Sequence, residues 1–205
     1  MNLKEKFTDI YQRNLFNGDE SRSGIGSNIY YTESIRQNLP ILIDALKIRT
    51  VIDAPCGDWN WMRNVNLEVD KYIGVDIVQE LIDKNNERYA TSVNEFQCLN
   101  IVDYILPKVD LIFCRACFTH LCFDDIFKVL ENFKKSESKY LLTTSFFKQK
   151  ENYDLGGRIW RSLNLEKEPF NFSNPLLYIY DLPYDFVGNY NDKTLGLWEL
   201  QKIGE

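Results

Sequence analysis

No apolar run in the 205-residue sequence approaches the ~18–20 residues that cross a bilayer. The opening MNLKEKF is too charged for a secretory leader, so the cytoplasm is the expected location and the membrane is not an expected partner. An excess of positive charge is also missing. The formal net charge is −6 and the pI about 5.0, which leaves no broad cationic surface to displace counterions from nucleic acid. A small-molecule partner is expected instead. There is one histidine, and the five cysteines make an odd count. Without an export signal these read as reduced thiols. Cys114, Cys117, His120 and Cys122 lie close enough in sequence to suggest a cramped zinc site. No second ligand pair stands elsewhere to close a tetrahedron, and Cys114 ends an apolar strand, so no metal is expected. Internal repeats and low-complexity linkers are absent.

What is present has ordinary globular composition, 44% hydrophobic and 26% charged, in a length that suits one continuous core. Residues 14–28 are polar and rich in Gly and Ser, and read as a loop. Ile35, Leu39, Leu42, Ile43 and Leu46 recur at helical spacing across 34–47, with Pro40 set to kink that helix or start another. Strands are predicted over 50–54, 71–77, 96–99, 110–114 and 140–144, with Leu81 and Ile82 on the helix after the second. Asp124 is predicted as the N-cap of a helix burying Ile126, Phe127, Leu130 and Phe133. Residues 145–175 read as irregular, and 177–180 with 195–201 as a closing pair of strands. Strands alternating with helices give an α/β fold with a parallel sheet, whose ligands bind beyond the carboxyl ends of the strands.

The residues at those ends carry the chemistry. The first strand ends in Asp53, followed by the turn Pro55-Cys56-Gly57-Asp58, and the second ends in Asp76, 23 residues after Asp53. A glycine turn after strand one and an acid after strand two, ~20 residues on, suit an adenosine ligand. The turn lacks the G-x-G-x-x-G of dinucleotide sites, and Trp59 stands where a pyrophosphate needs close approach. S-adenosylmethionine fits this turn better than a nicotinamide dinucleotide. A nicotinamide-dependent oxidoreductase on the same sheet remains the rival enzyme, and a non-catalytic S-adenosylmethionine-binding protein the rival without turnover. Asp181-Leu182-Pro183-Tyr184 has the look of a D-P-P-Y motif of amino methyltransferases, but lies past the fifth strand and reads as a turn.

VIDAPCGDWNWM resembles motif I of class I S-adenosylmethionine-dependent methyltransferases in a D-x-x-C-G-D-x-x-W-M version. YIGVDIV resembles the motif that follows it, and DLIFCRACFTHL the segment after strand four. The outer segments ESRSGIGS and GGRIWRSLNLEKEPF are similar to small bacterial methyltransferases found among capsule and surface-polysaccharide genes, including those assigned to O-methyl phosphoramidate decoration in Campylobacter. The resemblance covers about residues 20–200. It implies a Rossmann-like fold with a mostly parallel seven-stranded sheet and helices on both faces. It also implies one domain over 1–205, with N-terminal helices and a lid loop (1–48), a cofactor core (49–145), and an acceptor-side insert with closing strands (146–205). The implied function is transfer of a methyl group from S-adenosylmethionine to an oxygen of a small nucleotide-linked or saccharide precursor, leaving S-adenosylhomocysteine.

The same resemblance implies roles for individual residues. Asp53, Ala54, Pro55, Cys56 and Gly57 would hold the methionine part of the cofactor, Asp76 its ribose, and Ile77, Asn100 and Ile101 its adenine. Arg115 would begin the loop facing the sulfonium. The acid usual after strand three is Asn100 here, whose amide oxygen still accepts a hydrogen bond. Ala116 stands where an acid is expected after the arginine. His120, the one imidazole beyond strand four, reads either as a general base or as a helix-capping group. Arg22, Arg158 and Arg161 read either as partners for an anionic acceptor or as ordinary surface charges.

Overall fold

The structure, a computed structural model, describes residues 2–204, so the first and last residues of the domain expected over 1–205 lie outside the described residues. The helices are α1 (Leu3–Gln12), α2 (Glu33–Ala45), α3 (Gln79–Tyr89) and α4 (Phe123–Lys135). The strands are β1 (Thr50–Asp53), β2 (Lys71–Asp76), β3 (Asn94–Cys98), β4 (Leu111–Cys114), β5 (Tyr140–Phe146), β6 (Leu177–Tyr180) and β7 (Lys193–Glu199). They form one sheet in the order β3-β2-β1-β4-β5-β7-β6. The first five are parallel, and β7 runs antiparallel between β5 and β6. This is a Rossmann-like α/β fold, with a mostly parallel seven-stranded sheet and helices on both faces.

Strand alternation sorts the core into two layers. Ile52, Ile73, Ile112 and Leu141 face α4, where they meet Ile126, Val129, Leu130 and Phe133. Val51, Tyr72, Leu111 and Leu142 face the other way, onto Ile35, Leu39 and Ile43 of α2 and Leu81 and Ile82 of α3. β1 and β4 sit mid-sheet, covered on both faces, which is why they read as short apolar runs rather than alternating ones. α1 begins with a capping box, in which Asn2 accepts from the Glu5 N–H and Glu5 from the Asn2 N–H.

Several local expectations are corrected. α2 continues through Pro40 to Ala45, so no second helix starts there. Cys122 is the N-cap of α4, and Asp124 lies inside its first turn, where a carboxylate favours the positive end of the helix dipole. Phe127 is 44% exposed rather than buried, lying against Phe170 at the surface. The last strand is Lys193–Glu199, because the chain turns at Leu200–Lys202. Among the described residues, no helix is long and apolar enough to cross a membrane, and no group of His, Cys, Asp or Glu is placed to hold a metal ion.

Candidate functional site

The carboxyl ends of β1, β2 and β4 open into a cleft lined by Asp53, Pro55, Cys56, Gly57, Asp76, Ile77, Asn100, Ile101, Arg115 and His120. The turn after β1 is held on both sides. The Ala54 N–H donates to Phe113 O (2.9 Å), the Cys56 N–H to Val75 O (2.8 Å), and Asn85 Nδ2 to Gly57 O (2.8 Å). Gly57 has φ +56°, and a Cβ there would fall 2.3 Å from Ser23 Oγ, so any side chain would both strain the turn and displace the Ser23 hydroxyl from it. The Gly57 N–H donates to Asp76 Oδ2 at 3.2 Å and the Val78 N–H to Asp76 Oδ1 at 3.0 Å. Each Asp76 oxygen keeps a further lone pair for a ligand hydroxyl. Burial pushes the Asp76 carboxyl up to about 6, against the pull of those N–H donors.

Asp53 lies deeper. Tyr72 Oη donates to its Oδ2 at 2.5 Å, and Trp59 Nε1 donates to Tyr72 Oη at 2.9 Å. Desolvation raises the Asp53 pKa to about 8, more than the Tyr72 bond and the nearby Arg115 lower it. Asn100 caps a turn, with its Oδ1 accepting from the Val102 N–H (3.2 Å) and its Nδ2 donating to Asp103 (2.5 Å).

The opposite wall comes from the N-terminal segment. Leu3, Phe7, Ile10 and Tyr11 of α1, with Phe16, cover the apolar part of the cleft. Residues 21–27 then cross it as a strap. Asp58 accepts from Ser21 Oγ (2.8 Å), the Arg22 N–H (2.8 Å) and Ser23 Oγ (3.3 Å). Glu20 holds the flanks through Asn60 Nδ2 (2.8 Å) and the Ile29 N–H (3.1 Å). The Arg22 side chain lines the cleft with no hydrogen bond or ion pair to other described residues.

At the far end stand a paired arginine and a neutral imidazole. Arg115 is buried, its guanidinium 5.4 Å from the Trp61 ring and paired with Asp181, while its Nη2 donates to Gly26 O at 2.7 Å. His120 ends a short 3₁₀ turn (Phe118–His120), with Nδ1 2.6 Å from Ile159 O. That contact makes Nδ1 the protonated nitrogen and leaves Nε2 as an acceptor. Burial against Phe7 and Phe16, with Lys6, Arg161 and Lys193 nearby, lowers its pKa to about 4, so the ring is neutral at ordinary pH.

The three arginines expected at an acceptor site part company. Arg161 is buried, and its guanidinium nitrogens donate to Tyr153 O, Phe118 O and Leu121 O at 3.0, 2.8 and 2.6 Å. It braces the turn bearing His120 and does not line the cleft. Arg158 is exposed and does not line the cleft. Arg22 does. Sequence reasoning missed Tyr72, which reads as a strand residue, and the aromatic wall of α1. It also missed Asp58 and Asp181. Asp58 carried a signal through its place in the motif I turn, and Asp181 one that the D-L-P-Y composition led to be read as a turn.

No protein-family model and no curated protein matches the sequence. Solved structures do match its fold. An S-adenosylmethionine-dependent methyltransferase from Clostridium acetobutylicum is 15% identical at TM-score 0.59, over 97% of this chain and 99% of that one. The N-methyltransferase NodS of Bradyrhizobium japonicum is 11% identical at TM-score 0.62, over 85% and 98%. A phosphoethanolamine N-methyltransferase of Haemonchus contortus, solved with phosphoethanolamine and S-adenosylhomocysteine, is 16% identical at TM-score 0.56. That match covers 71% of this chain and only 33% of that one.

Proposed function

We propose that this chain is a methyltransferase that takes S-adenosylmethionine in the cleft and methylates an oxygen of a small precursor. The observation that carries the reading is the Asp76–Gly57 contact at the carboxyl end of β2, a carboxylate with lone pairs to spare beside a glycine turn. In this reading Asp76 accepts from the ribose hydroxyls. Ile77, Asn100 and Ile101 flank the adenine, and Asp53 with residues 54–57 meets the methionine end. The neighbouring folds support it, and so does the sheet, since dinucleotide enzymes use the parallel order 3-2-1-4-5-6 without a reversed strand between the last two.

The cofactor supplies an already activated methyl group, so the protein's task is in-line positioning. Arg115 and the 3₁₀ turn at Phe118–His120 shape the acceptor end, and the strap keeps water out. His120 Nε2 is the one imidazole acceptor there, although its lowered pKa makes it a weak base. An acceptor oxygen that is already anionic needs no base. Between the two acceptors suggested by the outer segments, a phosphoramidate therefore suits a site whose one imidazole is a weak base better than a neutral sugar hydroxyl does. The net charge and the free cysteines suit a cytoplasmic enzyme with no nucleic-acid partner.

Calorimetry with S-adenosylhomocysteine and with NADH tests the cofactor, and a homocysteine-release assay across sugar nucleotides and CDP-linked phosphoramidates tests the acceptor. Binding of NADH without S-adenosylhomocysteine would sink the reading. Binding without turnover on any acceptor would favour the non-catalytic rival.

A further inference from the structure

The strap is tied along its length to the loop after β1, at its N-terminal end to Asp58 and at its C-terminal end through Asn60 Nδ2 on Ser27 O (3.1 Å). Its C-terminal end has, in addition, one polar anchor from the opposite side of the cleft, Gly26 O on Arg115 Nη2. What orients that guanidinium is Asp181, the residue immediately after β6. The Asp181 side chain has no solvent exposure and does not line the cleft. Both of its oxygens accept from Arg115 Nε at 3.0 Å, and Oδ1 also accepts from Nη2 at 2.7 Å. Lys193, at the start of β7, closes the cluster with Nζ 2.8 Å from Oδ2.

A guanidinium on a flexible stem has no fixed plane of its own. A carboxylate that engages its fork sets that plane. Here the fork leaves Nη2 with a second hydrogen, and the plane fixed by Asp181 sends it to Gly26 O. The Trp61 ring bounds the other side of the guanidinium. A side chain just past the end of the edge strand β6 is thereby linked, through one arginine, to the cover of the cleft.

We propose that Asp181 is a positioning residue for cofactor binding, acting through Arg115 to fix the strap at Gly26 across the cleft. This rests on reading the cleft as the cofactor site. The two anchors are separable, because the amides they protect are different. Arg22 and Ser23 bond to Asp58 and to Ser21 Oγ, whereas Ser27 and Asn28 bond within the short 3₁₀ turn that Gly26 belongs to.

Hydrogen exchange on the full chain, with calorimetry for S-adenosylhomocysteine, tests this. Asp181→Asn is expected to speed exchange at Ser27 and Asn28 about tenfold while Arg22 and Ser23 stay protected. It should also raise the S-adenosylhomocysteine Kd about tenfold, on the scale of one hydrogen bond involving a charged group. Arg115→Lys keeps the charge opposite Asp181 but loses the fork. It is expected to give the same exchange pattern and covers the case in which the Asn variant fails to fold. Lys193→Met removes the second partner of Asp181 Oδ2 while leaving the Arg115 fork and its bond to Gly26 O, and is expected to move both readouts less than either of the first two variants. Unchanged protection at 27 and 28 in the first two variants overturns the proposal. So does equal loss across β4, β6 and β7 in all three, which marks a merely structural cluster. Wild-type protein that binds no S-adenosylhomocysteine overturns the cofactor reading itself, and the proposal with it.

Discussion

Tyr72 donates its phenolic hydrogen to Asp53 Oδ2 at 2.5 Å, while its own oxygen accepts the Trp59 indole N–H at 2.9 Å. The chain of donors ends on a carboxyl that burial holds near pKa 8, far above its unfolded value of 3.8. A carboxyl with a raised folded pKa contributes stability that is fully present below the unfolded pKa. That contribution is lost as the pH rises through the folded one. Asp53→Asn keeps an acceptor for Tyr72 and cannot ionise. Relative to wild type, the variant is expected to gain stability steadily between pH 4 and 8, by up to ~1.4 kcal/mol per pH unit. It should lose affinity for S-adenosylhomocysteine, whose ammonium group needs the ionised form. Denaturant unfolding at several pH values checks the first part. A constant difference across that window would show that Asp53 is not held protonated.

Asp76→Ala is expected to weaken S-adenosylhomocysteine binding by about 1–3 kcal/mol, since two hydrogen bonds to a charged acceptor are removed. Because the Asp76 pKa lies at about 6, wild-type affinity should itself fall as the pH drops below 6 and the carboxyl takes up a proton. Calorimetry from pH 8 to 5 reads both effects. A flat affinity profile would remove Asp76 from the ribose position.

His120→Ala is expected to reduce turnover more than cofactor affinity. The imidazole faces Lys6 from α1, Arg161 from the insert and Lys193 from β7, with Phe7 and Phe16 over it, and is neutral above about pH 4. Turnover at saturating cofactor should therefore show no His120-dependent limb near pH 6.5. An acid limb at that pH, present in wild type and gone in the variant, would contradict the surroundings described for this ring.

Asp58→Asn tests the near end of the strap. One amide oxygen cannot replace two carboxylate oxygens that accept from Ser21, Arg22 and Ser23. Exchange at Arg22 and Ser23 is expected to rise by about tenfold, the loss of roughly one such bond, while residues 27 and 28 stay protected. Equal exchange in the two proteins would mean that the strap is held from elsewhere.

The parts of the site that a sequence reading reaches are those fixed by local rules. Asp53 and Asp76 end strands whose apolar runs are unmistakable, and the Gly57 turn stands between them at the expected spacing. Arg161 shows where such reading fails. Its partners are the carbonyls of residues 118, 121 and 153, and nothing local distinguishes an arginine bound to carbonyls from one that awaits an anion. Asp181 fails for a related reason. A D-L-P-Y tetrapeptide has the composition of a turn, and its pairing with Arg115 spans 66 residues of chain. Phe127 sits at a helical-core spacing, but its ring lies at the edge of the core, 44% exposed and against Phe170 of the insert.

The first helix has a practical bearing on how this protein is handled. Leu3, Phe7 and Ile10 form part of the ligand cleft itself, so the N-terminus is not a neutral point of attachment. A purification tag fused ahead of residue 2 would hang at the rim of the binding site. Trimming residues 2–12 would strip Leu3, Phe7, Ile10 and Tyr11 from the cleft wall and bare the apolar surface on which Leu3 and Phe7 pack, the kind of surface that drives association between copies. Fusion partners and immobilisation chemistry belong at the other end of the chain, where Gly204 is exposed beyond the last turn.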